Sequence, residues 1–100
     1  MTFYPLEKLH LLYDGYIRPF RIAGRDLLLV QDQGRTYLIA NRCPHMDAPL
    51  TFATVRNGLL RCPMHGIEFD LLSGGARSGC LSPLEKFAVV YEGNLLGVML

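Results

Sequence analysis

Two short segments of this chain place a thiol and an imidazole side by side: Cys43-Pro44-His45 and Cys62-Pro63-Met64-His65. Residues 46 to 61 separate them. Two sulfurs and two nitrogens on two loops satisfy a [2Fe–2S] cluster in which Cys holds one iron and His the other. Two ferric ions, two sulfides and two thiolates sum to zero charge, whereas four thiolates leave a dianion. A neutral cluster accepts an electron more readily, so mixed ligation lifts the potential to roughly −150 to +300 mV, from roughly −400 mV. The outer imidazole nitrogen carries a titratable proton, so reduction couples to protonation. Such a centre makes the chain an electron carrier.

The competing chemistry is a structural Zn²⁺, for which two Cys and two His also suffice. The Cys-x-His pair is shorter than the usual zinc spacing, and its surroundings favour the cluster. Pro44 and Pro63 fix φ and stiffen both loops. Gly66, directly after His65, allows a backbone turn that a Cβ would hinder. Rigid loops projecting from a sheet clamp an object between their tips.

The elements that must position these loops read as strands. The one helical segment expected is a single turn at Leu6 to Leu9. Strands are expected at Tyr16 to Ile22, with Pro19 marking an edge, at Leu27 to Val30 and at Thr36 to Ala40. Thr51 to Val55 and Leu59 to Arg61 flank Asn57-Gly58, a hairpin signal. Gly66 to Asp70 leaves the second ligand pair, Leu72-Ser73-Gly74-Gly75 turns, and Phe87 to Tyr91 and Leu95 to Met99 form a final hairpin. About nine short strands predict an all-β domain.

Composition agrees with one globular unit: 100 residues, 50% hydrophobic and 19% charged. The net charge is +1 and the basic residues are scattered, so nucleic-acid binding is not expected. No apolar run approaches the ~20 residues of a membrane span, and Met1 to Pro5 lacks the blocks of a signal peptide. A cytoplasmic protein is expected, with no membrane partner. Three cysteines, an odd count, argue against a disulfide framework and for metal ligation. His10 stands apart as a surface or packing residue.

The ligand pairs, with Ala48-Pro49-Leu50, Gly66, Phe69-Asp70 and the Gly-rich turn, closely resemble the Rieske ferredoxins. That resemblance covers nearly the whole chain. It implies an antiparallel β-sandwich or barrel base carrying a small cluster-binding subdomain of two loops. Residues 1–100 would form one Rieske domain, with that subdomain at about 41–79. It implies one [2Fe–2S] cluster, with Cys43 and Cys62 on the buried iron and His45 and His65 on the outer one. It also implies the function: a monomeric one-electron carrier, not an enzyme. Its partners would be an NAD(P)H-dependent flavin reductase and a terminal oxygenase, docking transiently at the cluster tip. Two other readings stay open: the small subunit of an assimilatory nitrite reductase, in which the ligands are often missing, and a cluster-bearing redox sensor. An oxygenase itself is not expected, because the fold consumes the 100 residues and only His10 is left over.

Departures from the family refine the site. Ala48 and Met64 stand where respiratory Rieske proteins carry two further, disulfide-bonded Cys. Ile67 and Phe69 stand where those proteins carry the hydroxyls of Ser and Tyr. Fewer donors to the cluster predict a potential at the low end of the range. Asp47 stands where ferredoxins often carry Gly; it either opposes reduction and raises a ligand imidazole pKa, or caps the turn. Met46, Pro49, Leu50, Met64 and Ile67 are expected to frame the tip, with Leu50 and Ile67 read as core. Arg42 and Arg61 stand just behind the ligands. Cys80 is read as packing beneath the cluster.

Overall fold

Leu27-Leu28-Leu29-Val30 is an uninterrupted apolar run, and a strand made of it must be covered on both faces. In the computed structural model of the chain, which describes residues 1–64, 66–77 and 82–100, the run lies within β3 (Arg25–Asp32) and all four residues are buried. Side chains alternate along a strand. Leu27 and Leu29 accordingly join Tyr16, Leu38, Leu96 and Val98 in one core. Leu28 and Val30 join Ile39, Cys43, Leu50, Leu60, Cys62 and Phe69 in another. The neighbouring strand β4 (Arg35–Ala40) divides likewise, with Leu38 on one side and Ile39 on the other.

Ten strands are described, in three antiparallel sheets. The central sheet has the order β2 (Ile17–Ile22), β3, β4, β8 (Lys86–Phe87). The terminal sheet has the order β1 (Phe3–Lys8), β10 (Leu95–Met99), β9 (Val89–Glu92). The small third sheet joins β5 (Thr54–Arg56), β6 (Leu59–Arg61) and β7 (Glu68–Asp70) in sequence order. Three hairpins turn on Ala23-Gly24, Gln33-Gly34 and Asn57-Gly58, each with positive φ at both residues. This is the type I′ geometry that matches strand twist. The Asp32 carboxylate accepts the Gly58 N–H at 2.6 Å, tying the β5–β6 hairpin to the β3–β4 hairpin.

The expected all-β class is what the structure has, and Pro19 lies on an edge strand as read. Several boundaries differ. Leu6 belongs to β1, which pairs with β10, and the single 3-10 turn is Leu9–Leu11. That pairing, with a register irregularity between Pro5 and Glu7, supplies a strand the sequence did not signal. The strand expected from Thr51 starts at Thr54, because the Ala53 N–H closes a turn onto the Leu50 carbonyl at 3.0 Å. The strand expected over Phe87 to Tyr91 is two strands broken at Ala88, where the chain leaves the central sheet for the terminal one. No helix among the described residues is long and apolar enough to cross a membrane.

Candidate iron–sulfur centre

Cys43 follows β4 and Cys62 follows β6, so both ligand segments leave strands that are buried on at least one face. The two loops fold alike. The Cys43 N–H donates to the Ala48 carbonyl at 2.7 Å, and the Asp47 N–H donates back to the Cys43 carbonyl at 2.7 Å. In the second loop the Cys62 N–H donates to the Ile67 carbonyl at 2.9 Å, and the Gly66 N–H donates to the Cys62 carbonyl at 2.9 Å. Each turn thus closes at the fourth and fifth residues after its Cys. The fourth residue has positive φ in both, +56° at Asp47 and +69° at Gly66. Asp47 therefore fills a left-handed position that suits Gly and that Asp tolerates. Its carboxylate lies 3.7 Å from Arg42 Nε, with both side chains largely exposed.

The matched turns aim their cysteines inward. Cys43 and Cys62 are both buried, and the two side chains lie within hydrogen-bonding reach. Burial pushes the Cys43 thiol up, while the N–H groups of His45 and Met46, donating to its sulfur, pull it down. His45 is exposed on the same loop. A buried pair of sulfurs, that of Cys43 accepting from backbone N–H groups, with an exposed imidazole on the same loop, fits a cluster with a thiolate-bound inner iron and an imidazole-bound outer iron. His65 and Cys80 lie outside the described residues.

The first loop is fastened by a residue that the sequence did not single out. Asn41 Oδ1 accepts the Leu50 N–H at 2.7 Å, and its Nδ2 donates to Thr51 Oγ1 at 2.8 Å. Its own N–H donates to the Asp26 carbonyl at 2.9 Å, so the clamp stands on β3. Its carboxamide partners are nine and ten positions away, beyond the reach of local pattern.

The apolar rim differs from the expected one. Leu50 is fully buried and Ile67 half-buried against the core, as read. Met46 and Met64 are exposed, as is Pro49. Phe52, missed in the sequence, is 85% exposed and lines a groove with Pro63, Met64 and Arg61. His10 is exposed on the 3-10 turn, as expected. Phe69 is fully buried, and neither it nor Ile67 brings a hydroxyl to the loops.

An all-β scaffold presenting two matched Cys/His loops defines a class of iron–sulfur protein. Residues 2–88 match the family described as Rieske [2Fe-2S] domain, and the chain belongs to that family. The cofactor is accordingly a [2Fe–2S] cluster. The chain is 34% identical over 82 residues to Apoptosis-inducing factor 3 of Homo sapiens, covering 81% of this chain and 14% of that protein. It thus spans about a seventh of that relative's length. It is 27% identical over 84 residues to the ferredoxin component of the alkene monooxygenase system of Xanthobacter autotrophicus, covering 83% of this chain and 69% of that one. Among solved structures it resembles the ferredoxin of carbazole 1,9a-dioxygenase from Nocardioides aromaticivorans IC177. The TM-score is 0.86 at 27% identity, covering 98% of this chain and 97% of that one.

Proposed function

We propose that this chain is a Rieske-type ferredoxin that carries single electrons from a flavin reductase to an oxygenase, and is not itself an enzyme. The observation that carries the proposal is the pair of matched turns that bring two buried sulfurs together, with an exposed imidazole on the first of them. Likeness to two ferredoxin components of oxygenase systems, over 83% and 98% of this chain, supports the partner class. Cys43 and Cys62 would hold the inner iron, and His45 and His65 the outer one. The cluster supplies one-electron chemistry when bound. The chain's part is to fix the sulfurs, keep water from them and leave the imidazole edge accessible.

The domain reading belongs to the same proposal: residues 1–100 as one unit, with the cluster-binding subdomain over about 41–79. The third sheet and both ligand loops fall inside that stretch, which supports it. Met46, Phe52 and Met64 form an exposed apolar margin suited to brief docking, for which a small interface suffices. A monomer in the cytoplasm completes the reading.

Anaerobic titration tests it. One electron per chain, reversibly taken up and returned to an oxygenase component, is expected. Cys43→Ser and His65→Ala should lose the cluster. A colourless protein with stoichiometric zinc, or full cluster occupancy in either variant, would contradict it.

A further inference from the structure

The two ligand loops carry matched arginines, one directly before each Cys, and their charges meet different fates. Arg42 precedes Cys43, and its Nε lies 3.7 Å from the Asp47 carboxylate, at the left-handed position of its own turn. Arg61 precedes Cys62, and the matching left-handed position there is Gly66, which has no side chain. The Arg61 side chain covers that glycine. A Cβ built on Gly66 would lie 2.7 Å from Arg61 Nη2 and 3.2 Å from both Cζ and Nε. Three guanidinium atoms at such similar distances mean that the group lies across the turn. Arg61 is flanked in register by Thr54 and Glu68, so a cross-strand ion pair was open to it. Among the described residues it makes no such pair.

We infer that Arg61 is a positioning residue that also sets the potential of the second ligand loop. Its guanidinium packs on the Gly66 turn and holds beside the second ligand loop a positive charge that has no ion pair among the described residues. The Arg42–Asp47 pair on the first loop is electrically near neutral by comparison. A fixed cation near a redox centre favours the state carrying the extra electron. The absence of a side chain at Gly66 leaves the space that the guanidinium occupies.

The inference rests on the ligand assignment proposed above, and its test separates the two. Midpoint potentials are measured by redox titration of purified holoprotein for wild type, Arg61→Gln and Arg61→Lys. Gln keeps a planar amide that can lie on Gly66 but removes the charge; Lys keeps the charge but not the plane. Arg61→Gln should lower the midpoint by an amount equal to about a threefold loss of reduced form at fixed potential. That is about 30 mV at ~59 mV per tenfold for one electron. Arg61→Lys should stay within a third of that shift, as should the double variant Arg42→Gln/Asp47→Asn. An unchanged midpoint in Arg61→Gln with the wild-type spectrum overturns the inference, as does an equal fall in Arg61→Lys. A wild-type protein without a cluster spectrum would instead overturn the ligand assignment.

Discussion

Replacing Asn41 by Ala removes the clamp that joins the entry and exit of the first ligand loop. The Leu50 N–H, on a residue with no exposed surface, loses its acceptor at 2.7 Å. A buried donor left unsatisfied costs about 1–3 kcal/mol, and the second bond to Thr51 about 0.5–1.5 kcal/mol. Partial repair by water brings the expected total to roughly 2 kcal/mol. If the loop must open before iron escapes, that energy raises the open population about 30-fold, at about 1.4 kcal/mol per tenfold. The assay is bleaching of the cluster's visible absorbance by an iron chelator without oxygen. Asn41→Ala should bleach on the order of tenfold or more faster than wild type. Thr51→Val, which removes only the second bond, should bleach about two- to tenfold faster. Asn41→Asp, which keeps the acceptor for the Leu50 N–H, should fall between them. Asn41→Ala bleaching within twofold of wild type, or Thr51→Val matching it, would refute the clamp.

Other outcomes follow from the same geometry. Gly66→Ala forces a Cβ onto a residue at φ +69° and against Arg61, and should cost about 1–2 kcal/mol, read as a thermal midpoint lower by several degrees. Gly97→Ala is expected to be worse: a Cβ there strikes the Tyr4 carbonyl and the Phe3 ring in the terminal sheet, so chemical denaturation should show a loss above about 2 kcal/mol. The Tyr16 hydroxyl donates to Glu7 Oε2 at 2.8 Å; this bond is the main reason the Glu7 carboxyl lies below its usual range, and burial followed by Glu7 pushes Tyr16 up to about 12. Stability from Tyr16 is therefore present below pH 10 and lost between about 10 and 12, while that from Glu7 is present above about 4.5 and lost as pH falls further. Tyr16→Phe should flatten the alkaline limb of the midpoint-against-pH curve; an unchanged limb would count against it. With no hydroxyl at Ile67 or Phe69, the wild-type midpoint should lie between about −150 and 0 mV, and a value well above zero would refute that reasoning.

How much of this was legible in the chain depends on the range of the interactions involved. The apolar run at Leu27 to Val30 and the Asn-Gly and Gly turns are local, and they led to the right strands and hairpins. The chain switch at Ala88 was not legible, because which sheet a strand joins depends on partners distant in sequence. β1 was obscured by Pro5 and by the irregular register beside it, which spoil the alternation. The candidate ligands were read from residue type and spacing, whereas the supports of their loops were not legible. Asn41 acts through its carboxamide across nine positions, and the exposure of Phe52 follows from the turn at Leu50 to Ala53. The left-handed role of Asp47 was within reach: counted from each Cys, it falls on the same position as Gly66.

The proposed function stands on a mixed-ligand cluster, two thiolates on one iron and two imidazoles on the other. Pulsed EPR of the dithionite-reduced protein, with iron and acid-labile sulfide counted on the same sample, tests it most directly. Two irons and two sulfides per chain are expected, with hyperfine coupling to nitrogens of two imidazoles. A reduced cluster without imidazole coupling, or a colourless protein holding zinc, would contradict it.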